Sequence, residues 1–253
     1  MILDEILDNK RREVADRLAA TPLEDVRRRA LAAAPPRPAD FTGAMSLIAE
    51  VKRRSPSKGR LVNDLDPVAQ ARTYERGGAA AISVLTDDRF FGGALDDLSA
   101  VRAGVSLPVL CKDFILSDFQ VYEARAAGAD LLLLIVAALD DQALIRLLRL
   151  ALDLGMPPLV EVHQQHELAR ALAAGAELIG INNRDLSDFS VNLLTTEYLA
   201  PLVPDDCTVV SESGITTRED VRRVAAAGAG VVLVGETLMR SGDPAATIGE
   251  LLA

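Results

Sequence analysis

The stretch AAGADLLLLI (residues 126–135) contains the transition that decides the fold of this chain. A small-residue helix end meets Gly128 and Ala129, and an unbroken apolar run follows. Glycine just past a helix suits a left-handed C-terminal cap. A short Leu/Ile run suits a strand covered on both faces, as in a parallel sheet. The same transition recurs at Arg76-Gly77-Gly78-Ala79, Ala174-Gly175-Ala176 and Ala227-Gly228-Ala229. Outward from these points, strands are predicted at 47–52, 81–86, 108–112, 131–135, 158–162, 178–182, 208–212 and 231–235. Each gap is long enough for a crossover helix. Eight such βα units predict an α/β fold, a closed (β/α)8 barrel, with an open doubly wound sheet as the alternative. No linker or low-complexity tract interrupts the rhythm, so residues 1–253 read as one domain.

Residues 1–45 read as a helical N-terminal extension. Leu3, Leu7, Val14 and Leu18 recur near helical spacing, with charges between them. Thr21-Pro22-Leu23-Glu24 offers a second helix start with Thr21 as N-cap, and Pro35-Pro36 and Pro38 end it. This extension shows no evident chemistry.

The net charge of −10 argues against nucleic-acid binding, because a basic footprint is missing. A local pocket can still oppose that net charge and bind an anion. Aromatics make up 4% of the chain and Trp is absent, so Ala, Leu and Val must fill the core. Cys111 and Cys207 have neither disulfide nor zinc spacing and read as small hydrophobes in strand-like runs. No apolar run is long enough to span a membrane, and Asp4 and Glu5 stand where a signal peptide would not have them. A cytoplasmic protein that engages no membrane is the expectation.

Active sites of such barrels lie at the C-terminal ends of the strands. The predicted ends carry Glu50-Val51-Lys52, Lys112-Asp113, Glu161, Asn182-Asn183-Arg184-Asp185, Glu212-Ser213-Gly214 and Gly235-Glu236. Charges so close to strand interiors are costly unless paired. Structural ion pairs explain any one of them, but a cap on the core would need fewer than this ring supplies. Glu50 and Lys52, two apart, share one strand face; if it points inward, Val51 faces the helices.

The loops after the seventh and eighth strands, with a short helical stretch Glu236–Arg240, match the usual phosphate site of barrels. The Glu236 side chain is expected to turn away from such an anion. Thr216 with Glu219 predicts a capping box for the following helix. The basic stretch 52–59 reads either as a solvated loop or as a mobile flap over an anionic substrate. His163, His166 and Glu161 resemble a metal cluster by composition but lack an obvious further ligand. Asp87-Asp88 reads as a turn or helix start.

The motifs IAEVKRRSPSKG (48–59), SVLTDDRFFGG (83–93), LCKDFI (110–115), LVEVH (159–163), GINNRDL (180–186), SESGI (211–215) and VGETLM (234–239) resemble, in order, the strand-end motifs of the indole-3-glycerol phosphate synthase family. The helical extension is similar as well. The resemblance implies ring closure, decarboxylation and dehydration of 1-(2-carboxyphenylamino)-1-deoxyribulose 5-phosphate, a step of tryptophan biosynthesis, by a carboxy-lyase. It implies that Lys112 is the general acid on the ketone oxygen and Glu161 a proton acceptor in later steps. Lys52 would contact the anionic groups and share the acid role in dehydration. Glu50 and Asn182 would position the anilino group and the carbonyl, and Ser213 would be the pocket serine. Arg184 and Glu212 would line the pocket, and Ser55, Gly214, Gly235 and Glu236 would contact substrate or phosphate. Phe91 and Phe114 would wall the aromatic ring.

The chemistry needs no metal or organic cofactor, because the cyclised iminium is itself the electron sink for CO2 loss. A lysine acid works best with its pKa lowered, and Lys52 and Lys112 on neighbouring rim positions are expected to depress each other. The implied partner is a small phosphorylated substrate, with association with other enzymes of tryptophan synthesis a further implication. One departure is Ala94, where the resemblance calls for serine. Competing readings are a Schiff-base aldolase-type barrel using Lys52 or Lys112, a barrel that binds a phosphorylated ligand without catalysis, and a phosphoribosyl isomerase barrel. The first strand lacks the cysteine expected of the phosphoribosylanthranilate type.

Overall fold

In the computed structural model, which describes residues 2–41, 45–56, 59–60, 64–185 and 189–253, eight apolar runs form strands. These are β1 (Ser46–Val51), β2 (Ala81–Leu85), β3 (Val109–Lys112), β4 (Leu131–Ile135), β5 (Pro158–Val162), β6 (Leu178–Asn182), β7 (Thr208–Glu212) and β8 (Val231–Val234). They pair in parallel in sequence order, and β8 closes on β1, with Ser46 opposite Val231. The closed barrel is therefore realised and the open sheet is not. Arg54–Ser55 and Gly59–Arg60 add a short antiparallel ribbon beyond β1.

Helices fill the crossovers: α3 (Pro67–Arg76), α4 (Asp88–Phe91), α5 (Leu95–Gly104), α6 (Asp118–Ala126), α7 (Asp141–Asp153), α8 (Gln165–Ala174), α9 (Leu194–Leu199) and α10 (Arg218–Ala226). Helices α11 (Glu236–Arg240) and α12 (Pro244–Leu252) follow β8, and α1 (Ile2–Ala20) and α2 (Leu23–Ala32) precede the barrel. On α7, Leu144, Leu147, Leu148 and Ala151 are buried, which is the single-face spacing of a covering helix. Gly78, Gly128, Gly175 and Gly228 all have positive φ at the predicted helix ends. Among the described residues, no helix is long and apolar enough to cross a membrane.

Strand alternation sorts the core into two parts. Leu47, Ala49, Val51, Ile82, Val84, Cys111, Leu132, Val160 and Ile179 pack outward against the helices. Ile48, Ala81, Leu110, Leu131, Leu133, Leu159, Val210 and Leu233 fill the barrel interior. Two residues on from interior positions come Glu50, Lys112, Glu161 and Glu212, all contributed by odd-numbered strands. Layers drawn from alternate strands are the normal packing of this barrel. The uppermost layer here thus holds three carboxylates and one ammonium.

Three local expectations are corrected. Helix α2 is preceded by Pro22, with no side-chain cap bond, so Thr21 is not its N-cap. The capping box of α10 lies one residue later than expected, with Thr217 as cap and Asp220 returning the bond in place of Glu219. Cys207 is half-buried just before β7, while Cys111 is fully buried on β3.

Candidate active site

A cavity of about 980 Å³ opens at the C-terminal end of the barrel. All fourteen residues singled out from the sequence line it, from Glu50, Lys52 and Ser55 round to Gly235 and Glu236. The first-loop stretch runs partly outside the described residues, which exclude Ser57 and Lys58; Leu186 of the GINNRDL motif is outside them too.

The cavity floor is an ion network. The Lys112 ammonium lies 2.6 Å from Glu212 Oε2 and 3.5 Å from Glu161 Oε2. The Lys52 ammonium lies 2.5 Å from Glu50 Oε1. Burial opposes the Lys112 charge, but Glu212, Glu161 and Glu50 together outweigh burial and raise its pKa. The expected depression of Lys112 is therefore corrected. Lys52 stands just past β1 and Lys112 on β3, with β2 between them, and carboxylates surround Lys112. Burial first, then Glu161 and Glu50, push the Glu212 carboxyl up to about 7 against the pull of Lys112. Burial also opposes ionised Glu50, yet Lys52, Lys112 and Arg184 hold its carboxyl below the usual range.

Absent side chains make room for these groups. A Cβ on Gly180 would fall 2.3 Å from Glu212 Oε1, and one on Gly235 would fall 2.3 Å from Glu50 Oε1. Both glycines stand beside carboxylates of the charged layer.

The loop after β7 is built by two consecutive left-handed residues, Ser213 at φ 64° and Gly214 at φ 85°. A non-glycine residue there is strained and needs support. Asn183 supplies it by donating from Nδ2 to the Ser213 carbonyl at 3.1 Å, and its own oxygen accepts from Thr196. Gly235 is the residue before α11, and the Glu236 carboxylate lies 3.2 Å from Arg240 and 3.9 Å from Arg184. Its charge is thus matched by guanidinium groups. The loop after β1 is clamped to the segment after β2, where Arg53 pairs with Asp97 and Arg54 donates to the Asp88 and Arg89 carbonyls.

One wall is apolar. The Phe91 and Phe114 rings are 6.1 Å apart, and Ile2, Leu3 and Ile6 of α1 line the same space. The extension therefore does contribute to the cavity, contrary to the sequence reading. Lys10, 1% exposed, lies 2.8 Å from both Asp87 and Asp113 and pins α1 across the ends of β2 and β3. In sequence, Lys10 is one of the charges between the apolar positions of the extension, and no pattern singled it out. Phe189 and Val191 also line the cavity, and no sequence pattern marked them. Ala94 lies outside the lining; it occupies the N-cap of α5 without a side-chain cap bond. Among the described residues, no group of three or more His, Cys, Asp or Glu side chains is placed to hold a metal ion. His163 instead lies 3.4 Å from Glu161 and 3.4 Å from Glu167.

Comparison with known proteins agrees with this geometry. A protein named indole-3-glycerol phosphate synthase from a Nocardioides species is 54% identical over 246 residues, covering 96% of this chain and 95% of that protein. Those of Streptomyces griseus and Roseiflexus castenholzii are 49% and 51% identical over 257 and 264 residues, covering 100% and 99% of this chain and 95% and 97% of theirs. Among solved structures, a 3-hexulose-6-phosphate synthase superposes with a TM-score of 0.61 at 20% identity, over 82% of this chain and 98% of that one. A thiamine phosphate pyrophosphorylase from Pyrococcus furiosus gives 0.60 at 19% identity, over 82% and 93%. These two share the fold. The profile described as indole-3-glycerol phosphate synthase matches residues 3–251, and the chain belongs to that family.

Proposed function

We propose that this chain is an indole-3-glycerol phosphate synthase acting on 1-(2-carboxyphenylamino)-1-deoxyribulose 5-phosphate. The observation that carries the reading is the Lys112 ammonium, held between Glu161 and Glu212 on the floor of a cavity with a phenylalanine wall. The arene carbon bearing the carboxylate attacks the ketone carbon, and Lys112 protonates the developing alkoxide. Its raised pKa keeps it charged, so it stabilises that oxygen electrostatically before the proton moves. Loss of CO2 returns its electron pair to the iminium nitrogen and restores the benzene ring. The new hydroxyl then leaves as water with a proton from a lysine, for which Lys52 is placed beside Glu50. Glu161 takes a proton from the former sugar methylene, and the indole is complete.

Phe91 and Phe114 would hold the arene, while Glu50 and Asn182 would orient the anilino nitrogen and the carbonyl. The phosphate would sit against Ser213, Gly214 and Gly235, in the loops where barrels commonly bind it, with Arg184 and Arg240 near Glu236 offsetting that carboxylate. Ser55 of the clamped first loop would close over it. A small phosphorylated substrate is the partner this reading requires, and association with other enzymes of the same biosynthesis is its natural extension.

The test is turnover of the carboxyphenylamino substrate by the purified chain without added metal, read by indole fluorescence. Lys112→Ala is expected to lower kcat by about a hundredfold or more. A folded wild-type chain that gives no product would overturn the reading.

A further inference from the structure

Resting on the reaction just proposed, we infer that His163 is the proton conduit that recharges the active site, linking Glu161 to a second cavity outside the substrate chamber. Proton counting creates the need. The ketone oxygen gains one proton on closure and a second on leaving as water, while Glu161 recovers one from the methylene. Each turnover therefore takes one proton from solvent.

The geometry supplies a path for it. A second cavity of about 380 Å³ lies beside the first and is lined by His163, Glu167, Asn183 and Asn192, among others. Exposed Gln164 and Asn192 at its edge give solvent access. Glu161 lines only the first cavity and His163 only the second. The imidazole spans the wall between them, with Nε2 3.4 Å from Glu161 Oε1 and Nδ1 3.4 Å from Glu167 Oε2. Both ring nitrogens are shielded from solvent, and each faces its carboxylate at the outer edge of hydrogen-bond distance. Glu167 is fixed by accepting from the His163 backbone N–H at 2.6 Å. The other oxygen of Glu161 lies 3.5 Å from Lys112. The chain of groups is therefore second cavity, Glu167, His163, Glu161, Lys112.

In the step itself, after closure, the imidazolium gives its Nε2 proton to Glu161, which passes it to the neutral amine of Lys112; the proton that Glu161 later takes from the methylene returns by way of Lys112 and Glu50 to Lys52, so every group ends the turnover as it began. The imidazole then takes a proton at Nδ1 from Glu167, which lines the second cavity and is itself reprotonated by water there. Direct bonds need the ring to swing by less than an ångström or so, as catalytic contacts tighten on substrate binding. The charged groups facing the ring are Glu161 on β5, Glu167 on α8 and Glu212 on β7, with Arg184 and Asp185 after β6 at the second cavity. Burial lowers the imidazole pKa, but Glu167, Glu161 and Glu212 outweigh burial and raise it, which favours the donor form.

The experiment measures kcat and KM of the whole chain and of His163→Asn and His163→Ala across neutral and alkaline pH, with folding checked by circular dichroism. In both variants kcat is expected to fall about tenfold to a hundredfold with little change in KM. The deficit should widen as pH rises, because alternative donors become scarce. Added imidazole should restore much of the His163→Ala rate, and the solvent isotope effect on kcat should grow. The inference is overturned if kcat changes by less than about twofold, or if the loss is independent of pH and imidazole leaves it unchanged. A wild-type chain without turnover would instead sink the reaction assignment on which the inference rests.

Discussion

The charge on Lys112 depends on its partners, and the pair with Glu212 titrates as a unit. Because Glu212 is pushed up to about 7, the native state holds its proton to higher pH than the unfolded chain does. Its contribution to stability is therefore present in the ordinary carboxylate range and is lost as pH rises through about 7. The protonated pair is also the better acid, so kcat/KM should decline above pH about 7. Glu212→Gln removes the group nearest neutrality and leaves Lys112 to donate alone; the alkaline limb should then shift upward, and kcat should fall about tenfold. A pH–rate profile of the two proteins checks this, and an unmoved limb would exclude Glu212 from the acid. The positions of these residues were legible because strand spacing of two carries interior residues to the rim. Their electrostatics were not, because Glu212 meets Lys112 from 100 residues away through a layer that only barrel closure creates.

Elements begin and end where small side chains allow. Glycine ends were readable, since a left-handed cap has one favoured residue. Helix starts were less so: Thr216 and Thr217 are adjacent, both donate to Asp220, and only backbone geometry selects Thr217 as the cap. Ala94 shows the same physics in deficit. It has the extended backbone of an N-cap, φ −154° and ψ 154°, and no oxygen to accept from the first turn of α5. The serine that the resemblance calls for would be that acceptor. Ala94→Ser should stabilise the chain by about 1 kcal/mol. In a domain of this size that raises Tm by about 2–4 °C with kcat unchanged, as a thermal melt and an assay would show. A lower Tm would refute the capping role.

At the scale of the whole molecule, the extension and the barrel share one cavity. Helix α1 buries Ile6 and Leu7 among interior residues of the barrel and Lys10 among acidic ones. Removing one member of a buried ion cluster leaves the others uncompensated. Lys10→Met should therefore cost about 3 kcal/mol in urea unfolding. It should also raise KM more than it lowers kcat, because the apolar wall loosens while Lys112 stays. An unchanged KM would separate the helix from substrate binding. The periodicity of α1 was legible in sequence; which cation of the run Lys10-Arg11-Arg12 turns inward was set by Asp87 and Asp113, residues of a distant part of the chain.

Gly180 gives this architecture an unusual kind of vulnerability. It carries no functional group and lines no part of the chamber, so a survey of side-chain chemistry would pass over it. Yet alanine there would drive its methyl into the oxygen of Glu212 and displace the ammonium that depends on it. Variation at the site is thus limited from behind, by a position whose whole contribution is empty space.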